Sequence, residues 1–84
     1  LDSHTARWQK IWKRFLNSAN LPVNESWTAS SYAENLPKEW SSDWVAAARD
    51  FLQDYKLQRF SNDTEFALAE VEKSLDKCLQ VIAK

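Results

Sequence analysis

Eighty-four residues with five tryptophans, no glycine, one cysteine and a net charge of −1 make a small domain that has to draw its stability from aromatic packing. The lone Cys78 excludes an intrachain disulfide, and with the single histidine, His4, it offers too few ligands for a structural zinc site. The missing glycines exclude phosphate-cradling loops, the near-zero charge excludes a generally basic nucleic-acid binder, and no apolar run of about 18 residues is present to span a membrane.

From the N-terminus, Trp8, Ile11, Trp12, Phe15 and Leu16 recur at helical spacing. They predict a first helix from Ser3 to about Asn17, closed by Asn17, Asn20 and Pro22. Arg7, Lys10, Lys13 and Arg14 fill its other face, against Asp2 as the one acid of residues 1–16. A basic helix with aromatic anchors suits partner grooves, anionic membranes and some nucleic acids. The competing reading makes it the first helix of a bundle, aromatics inward and bases outward. A domain this small can hardly forgo one of its apolar faces, so that second reading is favoured.

The middle is less regular. Asn24 or Ser26 starts a short second helix with Ala29, Tyr32, Ala33 and Leu36 on its face and Pro37 at its end. Frequent serine and threonine weaken it, and Leu36-Pro37-Lys38-Glu39-Trp40 reads as a tight connector. A third helix spans Ser41 to about Arg59. Ser41 or Ser42 caps it, Trp44, Ala48, Phe51 and Tyr55 form one face, and Val45 and Leu52 widen that face. Asp43, Asp50 and Asp54 share a stripe that reads as a solvated acidic face rather than a cation site, one that could also pair with the first helix's bases, although surface pairs of that kind stabilise little.

The last helix has the strongest pattern. Asn62 and Glu65 have capping-box spacing, and Leu68, Val71, Leu75, Cys78 and Ile82 follow on one stripe. Glu65, Glu70 and Glu72 lie toward its start and Lys73, Lys77 and Lys84 toward its end, as the helix dipole favours. Its heptad-like spacing leaves self-association open.

The expected core is Trp8, Ile11, Trp12, Phe15, Leu16, Trp44, Ala48, Phe51, Leu52, Tyr55, Leu68, Val71, Leu75 and Ile82. The expected fold is all-α, a compact bundle of about four helices in a single domain over residues 1–84. No motif pairs His4 with Cys78, so no catalytic residue, cofactor or metal is expected. Asn24-Glu25-Ser26 and Asn62-Asp63-Thr64 match the glycosylation pattern at about the chance rate. Ser26, Thr28, Ser30 and Ser31 stand where phosphorylation would suit the start of the second helix. The absence of a signal-peptide core and the single cysteine lean toward an intracellular setting without fixing one, and Leu1 in place of methionine suggests a processed or excised chain.

Five tryptophans exceed what one small core is expected to hide, and tryptophan is enriched at binding hot spots. The reading is therefore a non-catalytic module for protein interaction or scaffolding. Trp27 and Trp40 are its foremost partner-facing residues, joined by Trp8, Trp12, Lys10, Lys13 and Arg14. The alternatives are a helical accessory segment of a larger enzyme or assembly, and a nucleic-acid or anionic-surface binder acting through the first helix.

Overall fold

The computed structural model describes residues 3–24 and 26–82. Asp2, Lys84 and the Glu25 of the first glycosylation pattern lie outside the described residues. Over the described residues the chain forms four helices and no strand: α1 (Ser3–Ala19), α2 (Ala29–Glu34), α3 (Ser42–Gln58) and α4 (Thr64–Ile82).

Each boundary has a local cause. α1 runs past Asn17 and ends where Asn20 takes a positive φ of 57°. There the Asn20 N–H donates to Asn17 O at 3.2 Å and the Leu21 N–H to Leu16 O at 2.9 Å. These two bonds make a Schellman cap, with asparagine standing where glycine usually does. α2 starts later than the sequence suggested. Asn24 spends its polar groups on a turn, its Oδ1 accepting from the Ser26 N–H and its carbonyl from the Trp27 N–H, both at 3.0 Å. Thr28, extended at φ −94° and ψ 176°, is the actual cap and accepts from the Ser31 N–H. Leu36 consequently falls beyond the helix, which closes at Asn35.

Ser41 caps α3, its Oγ accepting from the Trp44 N–H at 3.3 Å. At α4 the expected Asn62–Glu65 capping box does not form. Asp63 takes the cap instead, with Oδ1 accepting from the Phe66 N–H at 3.1 Å, and this leaves Glu65 available to another helix.

α4 packs against both α1 and α3, and α2 packs on α3. Phe15, Leu16, Ala48, Phe51, Ala67, Leu68, Val71 and Leu75 are fully buried where these faces meet. The backbones of α1 and α3 stay apart and aromatic rings fill the gap. Phe15 and Phe51 lie 4.6 Å apart between centroids, and Trp8 and Trp12 reach Tyr55 at 5.3 and 4.9 Å. Offset and edge-on ring pairs of this kind contribute about 0.5–1.5 kcal/mol each beyond the area they bury. The core differs from the expected one in two ways. Trp12, Trp44 and Tyr55 are only half-buried, Trp12 and Tyr55 standing at the rim of this gap and Trp44 against Trp40, while Tyr32, Ala19, Ala67 and Cys78 are buried.

Two of the four bases of α1, Arg7 and Arg14, do meet acids within the molecule, but on α4 rather than on the third helix. Arg7 bonds Glu65 at 2.9 Å and approaches Glu72 at 3.7 Å, and Arg14 approaches Asp76 at 3.5 Å. The reason is topological: α4 is the helix that lies alongside α1. No helix of the described residues is long and apolar enough to cross a membrane.

Candidate functional site

The loop between α1 and α2 is held from below by one side chain. Tyr32 is 1% exposed, and its hydroxyl donates to Pro22 O at 2.6 Å while accepting from the Asn24 N–H at 2.9 Å. Both loop groups are thereby satisfied without a regular element. The same ring receives Trp27 edge-on at 5.0 Å and Trp12 edge-on at 5.4 Å. Two tryptophans fifteen positions apart in the chain are thus brought to one place by a tyrosine between them.

Tyr55 completes the arrangement from α3. Trp12, Trp27 and Tyr55 line two adjoining cavities of about 420 and 350 Å³. Both lie toward the lower end of the range of roughly 300–1,000 Å³ in which ligand clefts fall. Thr28, Ala29, Lys56, Arg59 and Phe60 complete the first cavity, and Gln9, Lys13, Val23 and Asn24 the second. At the edges, Phe60 is 83% exposed and Val23 64% exposed. Apolar groups at both ends of a half-buried aromatic floor make one continuous groove across the α1–loop–α3 face.

Arg59 forms one wall. Its guanidinium lies over the rings of Trp8 and Tyr55, 5.2 and 5.8 Å from their centroids, and Nη1 donates to Tyr55 Oη at 3.2 Å. Cation–π contact and hydrogen bond together fix a side chain that would otherwise wander. Lys56 is held by a 3.1 Å hydrogen bond from Nζ to Ser30 Oγ. That partner is neutral, and no described acid pairs with the lysine.

The residues expected to face a partner do not all converge. Trp12, Trp27 and Lys13 share the groove. Trp8 is 6% exposed and belongs to the core, where Tyr55 and Arg59 cover it. Trp40 instead pairs edge-on with Trp44 at 5.6 Å. Trp44 precedes Tyr55 by eleven residues, about 16 Å of helix rise, which puts this pair far from the groove. Lys10 and Arg14, again with Lys13, border a shallow depression of about 520 Å³ on the outer side of α1. It is lined by that helix alone and has no aromatic floor. Tyr55, Lys56, Arg59 and Phe60 were not foreseen as site residues. Phe60 alone carried a signal, a large apolar residue just past a helix end and off its periodicity.

Nucleophile and metal chemistry find little here. Cys78 is buried, and loss of solvation together with the charge of Asp50 pushes its thiol up to about 11, so it stays protonated and unreactive. His4 pairs with Glu65 at 3.0 Å, and Glu65 precedes Cys78 on α4 by thirteen residues, about 20 Å of rise. Among the described residues no three His, Cys, Asp or Glu side chains are grouped to hold a metal ion.

Comparison with protein-family models, with curated proteins and with solved structures finds no match. Any functional reading therefore rests on the groove itself.

Proposed function

We propose that this chain is a non-catalytic protein-interaction module that docks a partner segment in the Trp12–Trp27–Tyr55 groove. The observation that carries this reading is the pairing of a concave aromatic floor with exposed apolar residues, Val23 and Phe60, at its two ends. A fold of this size gains stability by burying such groups, and a contiguous apolar patch left open marks an interaction surface. Tryptophan, tyrosine and arginine are also the residue types that dominate binding energy at interfaces. The alternative docking surface, the outer basic face of α1, is weakened because Arg7 and Arg14 already meet acids of α4.

The test is to pan a randomised short-peptide library against the chain and titrate the enriched peptides into the isotope-labelled protein. Chemical-shift changes are expected at the indole N–H groups of Trp12 and Trp27 and at Phe60, with Trp40 and Trp44 unmoved. An empty selection, or shifts centred on Trp40 or on the outer face of α1, would falsify the proposal.

A further inference from the structure

We infer that the groove selects an acidic peptide segment bearing one aromatic or branched apolar side chain. The side chain sits among Trp12, Trp27 and Tyr55, and flanking carboxylates meet Lys56 and Arg59 on one side and Lys13 on the other. This inference rests on the docking reading above and adds the chemistry of the partner.

The charges carry the argument. Among the described residues the groove is lined by three cations and no carboxylate. None of the three forms an ion pair with a described acid, whereas Arg7 and Arg14, which lie outside the groove, do. The molecule as a whole has a net charge of −1. Among the described residues, positive charge without an acidic partner is therefore concentrated around an apolar floor, where a low-dielectric wall strengthens its effect on an incoming carboxylate. Arg59 is also positioned in advance. The single hydrogen bond of its guanidinium among the described residues goes to Tyr55 Oη, which leaves other N–H groups of its planar fork for a carboxylate. Holding the side chain before binding removes much of the ordering cost that weakens charged contacts.

The aromatic geometry favours a peptide over single-stranded nucleic acid. Base stacking needs open ring faces, and Trp12 is already packed by Tyr55 at 4.9 Å and 36°, by Phe15 at 6.1 Å and by Tyr32 edge-on. What the floor offers is a notch for a side chain.

The experiment uses fluorescence anisotropy of the full chain with labelled probes. The probes are a phenylalanine flanked by aspartate and glutamate, the same peptide with lysines replacing the acids, the acidic peptide with alanine replacing phenylalanine, a single-stranded oligothymidine, and phosphatidylserine vesicles. The acidic phenylalanine peptide is expected to bind best, with an affinity that falls as salt rises. Lys56→Glu combined with Lys13→Glu should weaken it about tenfold and turn preference toward the lysine-flanked peptide, while Lys77→Glu on α4 leaves it unchanged. Circular dichroism confirms that the variants stay helical. The swapped preference is a gain of binding that an unfolded variant cannot mimic. Equal binding of acidic and basic peptides overturns the charge selection while leaving the docking reading intact. Equal binding with alanine in place of phenylalanine overturns the anchor. Preference for oligothymidine or vesicles over every peptide overturns both the inference and the docking reading.

Discussion

At Asn20 a glycine-free chain has had to solve a problem that glycine normally solves. A Schellman cap needs a left-handed residue, which costs an ordinary L-residue roughly 1–2 kcal/mol, and asparagine is among the few that adopt it readily. The observed φ of 57° and the paired bonds to Asn17 O and Leu16 O fit that role. Asn20→Ala is expected to cost about 1 kcal/mol in urea denaturation, while Asn20→Gly stays within about 0.5 kcal/mol of the parent. Glycine relieves the backbone but frees the unfolded chain, so its two effects offset. An alanine variant as stable as the parent would mean the cap is not held. The same position sets the direction in which the chain leaves α1, and hence where Val23 and Trp27 arrive at the groove.

Among the elements, α2 is the shortest at six residues and the least able to stand alone. It is held by Tyr32, whose ring is buried and whose hydroxyl binds the loop at Pro22 and Asn24. Tyr32→Phe keeps the ring contacts with Trp12 and Trp27 and removes both hydrogen bonds. The expected loss is about 1–3 kcal/mol, because the Asn24 N–H and Pro22 carbonyl are left short of a partner in a part-buried setting. Faster hydrogen exchange should be confined to the loop and α2. Uniform loosening of all four helices would show that the tyrosine supports the whole fold instead. This element also marks how far the sequence could be read. α1, α3 and α4 run for 17 to 19 residues, enough turns for the apolar period to stand out, and their faces were legible. α2 offers fewer than two turns, and its start depended on whether Asn24 would cap a helix or fold a turn. Trp27 was legible as an odd residue outside the core pattern. Its meeting with Trp12 was not, since that depends on a tyrosine hydroxyl reaching across a loop. The charges around the groove were hidden for a similar reason. Arg7 and Arg14 find acids because α4 lies beside α1, while Lys13, Lys56 and Arg59 pair with no described acid, and no local spacing reports that.

For the whole molecule, α1 and α4 are tied by an exposed ionic seam of Arg7 with Glu65 and Glu72 and of Arg14 with Asp76. Exposed pairs contribute little individually, so the apolar stripe of Leu68, Val71 and Leu75 carries this interface and the seam modulates it. Its signature is pH dependence. Hydrogen bonds from Arg7, then from His4, hold the Glu65 carboxyl below its ordinary 4.5. A carboxyl with a depressed folded value binds fewer protons folded than unfolded within that window. Its stabilisation is therefore complete above the ordinary value and is lost as pH falls through the folded one. The melting temperature of the parent should fall on acidification through the carboxylate range. Glu65→Gln, which keeps an oxygen acceptor for Arg7 but cannot ionise, should flatten the early part of that fall. Added salt should narrow the gap between the two curves at neutral pH, since both charges are open to solvent. Parallel acid limbs at every salt concentration would mean that Arg7 and Glu65 meet without coupling to folding. The α1–α4 interface would then rest on its apolar stripe alone.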